Sequence, residues 1–289
     1  MMQQKTVSLV LGSGGARGMA HIGIIKWLEE NNYKIESISG CSMGALIGGF
    51  YAAGKLDIYR NWLKELDVLG ILKLLDFQGS GGLVSGTVLM QKLEALVGDH
   101  DIESLPIKFT AVASDINQEK EVWMNRGSLL SAIRASISLP LFFTPHMYEG
   151  SLLVDGGVLN PVPIAPTFHD NTDITIAVNL GGKVDLHLQT PTSTSAEVDD
   201  SITNKITAYF KQVKLPDIMN FENGVYKIAD NSFDAMQGTI ARMKLAAYPP
   251  DVEIEVPRNL CGTLEFNRAD EIIDYGYNLC DKLSKEGLL

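Results

Sequence analysis

Two strand-like runs in the first 45 residues each end in a glycine-containing loop that leads into a helical pattern. The first run covers residues 6–11 and precedes the loop 12–18, and the second covers residues 34–39 and precedes Gly40-Cys41-Ser42-Met43-Gly44. Strand-like and helical patterns continue to alternate along the chain. This alternation predicts an α/β fold with a mainly parallel central sheet sandwiched between helices. Such a sheet places its ligand sites beyond the carboxyl ends of the strands.

The second loop has the pattern of a nucleophile elbow. Ser42 stands between Gly40 and Gly44, with a strand-like run before it and an apolar helical run after it. At such an elbow the chain turns sharply from strand to helix, and the serine hydroxyl stands clear of the backbone. Because the chain contains 27 glycines, the three residues alone are weak evidence, and the flanking elements carry the prediction. The alternative is a tight turn packed under a Rossmann-like sheet.

The first loop fits two kinds of site. Gly12, Gly14 and Gly18 approximate the glycine pattern of a dinucleotide-binding loop, but Arg17 stands where the strict motif has its last glycine. The strand after the helix also lacks the terminal acidic residue that would hold a ribose. Both mismatches favour the second kind of site, an oxyanion hole.

In an oxyanion hole, backbone N–H groups stabilise the oxygen that becomes negative when a nucleophile attacks an ester. The N–H groups of Gly14, Gly15 and Met43 are the candidates, because they lie in the first loop and directly after Ser42. Arg17 is then either a brace for the loop or a solvated charge.

Asp155 is the candidate base that activates Ser42. It ends an apolar strand-like run and is followed by two glycines, and a carboxylate at a core position needs a partner or a function. Burial would raise its pKa and make it a better proton acceptor. Asp115 is the rival, although its place before Asn117 is typical of a turn. His21 lies on a helical pattern with apolar neighbours and is expected to pack or to brace a loop.

Two longer stretches have less specific patterns. Residues 57–77 are amphipathic and form either a core helix or an apolar lip over the site. The whole chain, 1–289, is expected to be one domain with a core at about 5–181. A mobile loop and a helical segment are expected at about 182–250, and a C-terminal strand and helix at about 251–289.

Composition excludes several classes of partner. A net charge of -11 argues against nucleic acid and against attraction to anionic lipid, so contact with a membrane would be transient, peripheral and apolar. The apolar runs are too short for a signal peptide or a membrane-spanning helix. Three cysteines without framework spacing indicate reduced thiols in the cytoplasm. No zinc-type spacing occurs, and neither a metal nor a cofactor is predicted. The pattern leaves the oligomeric state open.

Three ordered blocks resemble the patatin-like phospholipase family, and specifically the branch of bacterial RssA and neuropathy target esterase. The blocks are Gly12-Ser13-Gly14-Gly15-Ala16-Arg17-Gly18, Gly40-Cys41-Ser42-Met43-Gly44 and Asp155-Gly156-Gly157. The resemblance implies a three-layer α/β/α domain and a calcium-independent hydrolase of lipid acyl esters, either phospholipids or lysophospholipids. It also implies a Ser42–Asp155 dyad with an oxyanion hole in the Gly14-Gly15 loop. A protein that keeps the fold but binds a lipid or a partner without turnover is the alternative.

Overall fold

The computed structural model describes residues 4–78, 83–188 and 224–289. The strands are β1 (Lys5–Leu11), β2 (Tyr33–Cys41), β3 (Phe77–Gln78), β4 (Leu83–Val84), β5 (Lys108–Asp115), β6 (Lys120–Met124), β7 (His146–Tyr148), β8 (Ser151–Asp155), β9 (Ile174–Gly182) and β10 (Val252–Pro257). The α-helices are α1 (Ala20–Glu30), α2 (Met43–Ala52), α3 (Leu56–Lys64), α4 (Val68–Leu74), α5 (Thr87–Val97), α6 (Leu129–Ser136), α7 (Gly224–Ala247) and α8 (Ala269–Lys285).

The central sheet has the strand order β10-β9-β1-β2-β5-β8-β7, and β6 also pairs with β5. All pairs from β10 to β5 are parallel, whereas the pairs that involve β6, β7 or β8 are antiparallel. The prediction of an α/β fold with a mainly parallel central sheet between helices is confirmed. β3 and β4 form a separate antiparallel pair.

The middle of the sheet is buried on both faces, as expected for a parallel sheet covered by helices. In β1 every residue from position 7 to position 11 is buried. Phe50 of α2 and Phe109 of β5 are among the largest fully buried side chains. Helix α2, which follows Ser42, packs against β1, β2 and β5. The site is therefore built at the buried centre of the fold.

The two stretches whose sequence patterns are less specific are 57–77, which the structure describes, and 182–250, which it describes in part. The stretch 57–77 forms α3 and α4 rather than one helix, and Tyr59 and Leu63 of α3 are buried in the core. Helix α7 accounts for the end of the helical segment expected at 182–250. The rest of the mobile loop and helical segment, at 189–223, lies outside the described residues. Within the described ranges, no helix has both the length and the apolar character needed to cross a bilayer.

Candidate active site

Ser42 occupies a strained turn between β2 and α2. Its backbone angles are φ 55° and ψ −123°, a region that non-glycine residues rarely adopt. The turn is tight because a Cβ atom on Gly44 would lie 2.0 Å from the carbonyl oxygen of Leu11. The hydroxyl of Ser136 helps to hold the turn, since it accepts a hydrogen bond from the Ser42 N–H at 2.8 Å and donates one to the Val112 carbonyl at 2.6 Å. The sequence pattern of a nucleophile elbow is therefore matched by its geometry.

Strands β2 and β8 meet end to end along one edge of β5. β2 pairs with β5 as far as Cys41, opposite Val112, and β8 continues with Asp155 opposite the next residue, Ala113. β6 pairs with both of these β5 residues along the other edge. Asp155 is the last residue of β8, which runs antiparallel to β5. Asp155 reaches Ser42, because the last residue of β8 meets the end of β2.

Ser42 and Asp155 form a short hydrogen bond in a buried environment. The Ser42 Oγ donates to Asp155 Oδ2 at 2.5 Å, and the Gly157 N–H donates to Oδ1 at 2.7 Å. The exposed fractions of the two residues are 7% and 1%. Burial raises the pKa of Asp155 to about 6, although the hydrogen bonds from Ser42, Gly157 and Cys41 partly oppose this rise. The carboxylate is thus a stronger base than an exposed aspartate and still ionised near neutral pH.

The glycine loop after β1 lies beside Ser42, and most of its backbone groups are used to fix it in place. The N–H groups of Gly12 and Ser13 donate to the carbonyls of Val178 and Pro161, and that of Ala16 donates to Thr263. Among the described residues, the N–H groups of Gly14, Gly15 and Met43 have no protein acceptor. Gly15, Ser42 and Met43 line the same cavity. This arrangement leaves donors free next to the serine hydroxyl.

Arg17 braces this loop and is not a solvated charge. Its residue is 3% exposed, and its Nε donates to the Gly14 carbonyl at 3.2 Å. Its two terminal nitrogens donate to the carbonyl of Arg258 and to Asp234 of α7, each at 2.8 Å. Gly18 is the last residue of the loop and packs against α2, since a Cβ atom on it would approach the Met43 Cβ to 2.4 Å.

The two rival bases have structural roles. His21 is fully buried, and because a carbonyl can only accept, its Nε2 donates to the Gly12 oxygen at 2.9 Å. Burial lowers the pKa of His21 to about 4, so the ring is neutral at pH 7. Asp115 accepts hydrogen bonds from the N–H groups of Asn117 and Gln118, each at 3.0 Å, as expected for a turn.

An apolar cavity opens in front of Ser42. It contains about 930 Å³ of free space, counting the part that is open to solvent. The side chains that line it come from α3, from α4 and its flanks, from α5, and from the loop after α6; they include Tyr59, Trp62, Leu63, Leu66, Ile71, Leu74, Leu75, Leu89, Leu93, Ile137, Leu139, Phe142 and Phe143. The stretch 57–77 therefore contributes both a core helix, α3, and an apolar wall next to the serine.

Two residues of α7 also reach the site, and the sequence patterns did not indicate them. Gln237 is 8% exposed, and its Nε2 donates to the Ser13 Oγ at 3.2 Å. A Cβ atom on Gly157 would lie 2.0 Å from the same Nε2 and 2.8 Å from the Ser13 Oγ, so α7 and the glycine loop pack closely over the end of β8. Asp234 pairs with Arg17. Polar residues are common on exposed helix faces, so the sequence around Asp234 and Gln237 does not indicate that they contact the glycine loop.

Comparisons with known proteins show what this chain is similar to. A family model described as patatin-like phospholipase matches residues 9–168, which include the glycine loop, Ser42 and Asp155. An NTE family protein of Mycobacterium bovis is 38% identical over 93% of this chain and 89% of its own length. The lysophospholipase nte1 of Emericella nidulans is 28% identical over 99% of this chain, which spans 19% of that longer protein. The crystal structure of VipD from Legionella pneumophila aligns with 98% of this chain over 67% of the VipD chain, with a TM-score of 0.47 and 13% sequence identity.

Proposed function

Because this chain belongs to the patatin-like phospholipase family, we propose that it hydrolyses acyl esters of lipids, with a phospholipid or a lysophospholipid as substrate. Homologues that carry the name of lysophospholipase support a lipid hydrolase. The observation that carries the proposal is the 2.5 Å hydrogen bond between Ser42 and a buried Asp155 at the end of an apolar cavity.

In the proposed mechanism Asp155 accepts the proton of Ser42 while Oγ attacks the ester carbonyl. The N–H groups of Gly14, Gly15 and Met43 stabilise the negative oxygen of the tetrahedral intermediate. Protonated Asp155 then gives the proton to the leaving alcohol, and an acyl-enzyme remains on Ser42. A water molecule, deprotonated by Asp155, attacks the acyl-enzyme and releases the fatty acid. The mechanism needs neither a metal nor a cofactor.

The environment of Asp155 supports its role as the only base of a dyad. A carboxylate with a normal pKa is a weak base, but burial raises the pKa of Asp155 to about 6. The Gly157 N–H fixes one carboxylate oxygen and leaves the other aimed at Ser42. His21 does not take part, because its Nε2 is used by the Gly12 carbonyl and its ring is neutral.

The apolar cavity wall supports the proposal that the acyl chain of the substrate binds in this cavity. Its lining is almost wholly aliphatic and aromatic, and Ser42, Gly15 and Thr263 are among its few polar contributors. An acyl chain in this cavity is removed from water, which is favourable in proportion to the apolar area that is buried. Its ester carbonyl would lie between Ser42 and the free N–H groups.

We further propose transient contact with the surface of a lipid aggregate in the cytoplasm. Leu141 is 65% exposed and has φ 67°, an unusual conformation for leucine, in the same loop as Leu139, Phe142 and Phe143 of the cavity wall. An apolar contact suits a chain whose net charge of -11 opposes anionic lipid. All three cysteines are buried thiols, which suits a reducing compartment.

The test is hydrolysis of a series of p-nitrophenyl esters, with and without a chelator, by the native protein and by single variants. Ser42→Ala and Asp155→Asn are expected to lose at least ~10³-fold in kcat, because each removes a group that acts in the transition state. Asp115→Asn is the matched control, since it neutralises a second buried aspartate on the same sheet, and it should keep its activity.

Two results would contradict the proposal. Activity in Asp155→Asn but not in Ser42→Ala would assign the base to another residue. A native protein that is inert on every ester, and on a panel of phospholipids and lysophospholipids, would favour a regulatory protein that binds lipid or a partner without turnover.

A further inference from the structure

Helix α7 lies across the glycine loop and contacts it through one face. Asp234 pairs with Arg17 at 2.8 Å, and Gln237, one turn later, donates to Ser13 at 3.2 Å. One turn earlier, Asp230 accepts from the Thr263 hydroxyl at 3.3 Å, and the Thr263 carbonyl in turn accepts from the loop N–H of Ala16 at 2.9 Å. Residues three or four positions apart lie on the same side of a helix. One face of α7 therefore packs against the glycine loop through polar contacts.

The guanidinium of Arg17 links this helix to a single carbonyl of the loop. Its side chain is 4% exposed, so it must be compensated by nearby acceptors. Asp234 supplies the negative charge, the Arg258 carbonyl accepts from a second nitrogen, and the Gly14 carbonyl accepts from Nε. The Gly14 carbonyl also begins the short 3-10 helix Gly15–Met19, and Arg17 adds a second, side-chain hydrogen bond that fixes its direction while Asp234 holds Arg17.

The direction of that carbonyl also sets the direction of the Gly15 N–H. In a trans peptide the C=O of one residue and the N–H of the next point to opposite sides. The Gly14 carbonyl points towards Arg17, so the Gly15 N–H points away from it, and Gly15 lines the cavity together with Ser42 and Met43. Neither residue of this peptide has a side chain that would resist rotation of the peptide plane.

We propose that Asp234 is a positioning residue of the oxyanion hole, and that α7 completes the site by fixing the Gly14–Gly15 peptide through Arg17. The inference rests on the proposed function, in which the Gly15 N–H stabilises the negative oxygen. Asp234 touches neither substrate nor Ser42. Its loss leaves Arg17 buried without its charged partner, so that Arg17 turns towards a new acceptor and its hydrogen bond to the Gly14 carbonyl is lost, which lets the direction of the peptide change.

The kinetic test compares Asp234→Ala and Asp234→Asn with Lys244→Met. Lys244 is a matched control because it forms an ion pair from the same helix, with Glu121 at 2.6 Å, and has no contact with the loop. Asp234→Ala should lower kcat 10- to 100-fold and leave KM within about twofold, because the acyl-binding wall is unchanged. Asp234→Asn, which retains an acceptor for Arg17, should lose less. Lys244→Met should keep kcat within about twofold of the native value.

A spectroscopic test separates this inference from the proposed function. The amide resonance of Gly15, in protein labelled with ¹⁵N-glycine and assigned, should shift in Asp234→Ala and stay in place in Lys244→Met. This readout does not depend on turnover, so it decides the inference even if the native protein hydrolyses no ester. An unmoved Gly15 resonance in Asp234→Ala would overturn it. Native kcat in that variant, a change confined to KM, or equal losses in Asp234→Ala and Lys244→Met would also overturn it.

Discussion

Replacing Asp155 with asparagine is expected to stabilise the protein above pH 6 while removing its activity. Burial raises the pKa of Asp155 to about 6 in the native state, whereas an aspartate in an unfolded chain titrates near 3.9. Ionising this carboxyl in the native state therefore costs about 3 kcal/mol more than in the unfolded state, since one pKa unit corresponds to about 1.4 kcal/mol. Asparagine resembles the protonated acid and does not carry this cost.

The sign of the pH dependence follows from proton binding. Between about pH 4 and pH 6 the native state holds a proton that the unfolded state has lost, so the native protein loses stability as pH rises through this range. Asparagine does not titrate, and the Asp155→Asn variant lacks this loss. The gain in the free energy of unfolding should therefore grow from about 0.5 kcal/mol at pH 4 to about 3 kcal/mol at pH 8. The contacts with Ser42 and Gly157 can be kept, because the asparagine side chain offers both an acceptor and a donor.

Urea unfolding followed by tryptophan fluorescence at several pH values measures this difference. Asp115→Asn is a control of opposite sign. Burial raises the pKa of Asp115, but the N–H groups of Gln118 and Asn117 and the Ser151 hydroxyl outweigh it and hold this pKa below its usual value. That variant should be less stable than the native protein at pH 8, and the deficit should shrink as pH falls. An Asp155→Asn variant that is destabilised at every pH would refute the reasoning, because its carboxylate would then be a favourable native charge.

Three other predictions follow from the site. The kcat/KM for a p-nitrophenyl ester should fall tenfold per pH unit below about pH 6, because protonated Asp155 cannot accept the serine proton; a profile that is flat to pH 4.5 would exclude Asp155 as the base. Leu75→Ser should lower kcat/KM about 10-fold for long-chain esters and little for acetate or butyrate esters, since it removes an apolar side chain from the cavity wall. Ile58→Ser is the control, because Ile58 is 44% exposed and lies outside the cavity, and equal losses of Leu75→Ser on long-chain and short-chain esters would contradict the acyl-site assignment. Gly157→Ala should cost about 1–3 kcal/mol of stability and most of the activity, because its Cβ would displace the buried Gln237 amide at 2.0 Å and would also lie 2.8 Å from the Ser13 Oγ and 3.0 Å from the Asp155 Oδ1. Gly238→Ala in α7, where the nearest atom is at 3.4 Å, should be tolerated, and calorimetry with an ester assay distinguishes the two.

The strained conformation of Ser42 is held by a hydrogen bond that links its N–H to β5 through Ser136. The elbow lies between the last residue of β2 and the first residue of α2, and the Ser136 hydroxyl bonds both to its N–H and to β5. Because the Ser42 N–H is occupied by this bond, it is not available to an oxyanion. This suits the proposed mechanism, in which the donors are the N–H groups of Met43 and of the glycine loop.

Local sequence determined the parts of the site that lie within one strand-to-helix turn. The glycine loop after β1 and the elbow at Ser42 follow from residues that are neighbours in the chain, because backbone turns and close packing depend on local glycines. The alternation of strands and helices was enough for the mainly parallel sheet. Asp155 could be recognised because a carboxylate next to two glycines is unusual in an apolar run.

Contacts between distant segments were decided only by the tertiary structure. Ser42 and Asp155 are 113 positions apart, and they meet because β8 runs antiparallel to β5 in a register that ends opposite Ala113. Asp234 is 217 positions from Arg17, and its exposed-looking helix pattern carries no sign of that partner. The pKa of Asp155 likewise depends on burial by several elements at once. A local sequence pattern indicates which backbone conformation a segment prefers. Strand register, burial and ion pairing depend instead on which surfaces of distant segments pack together.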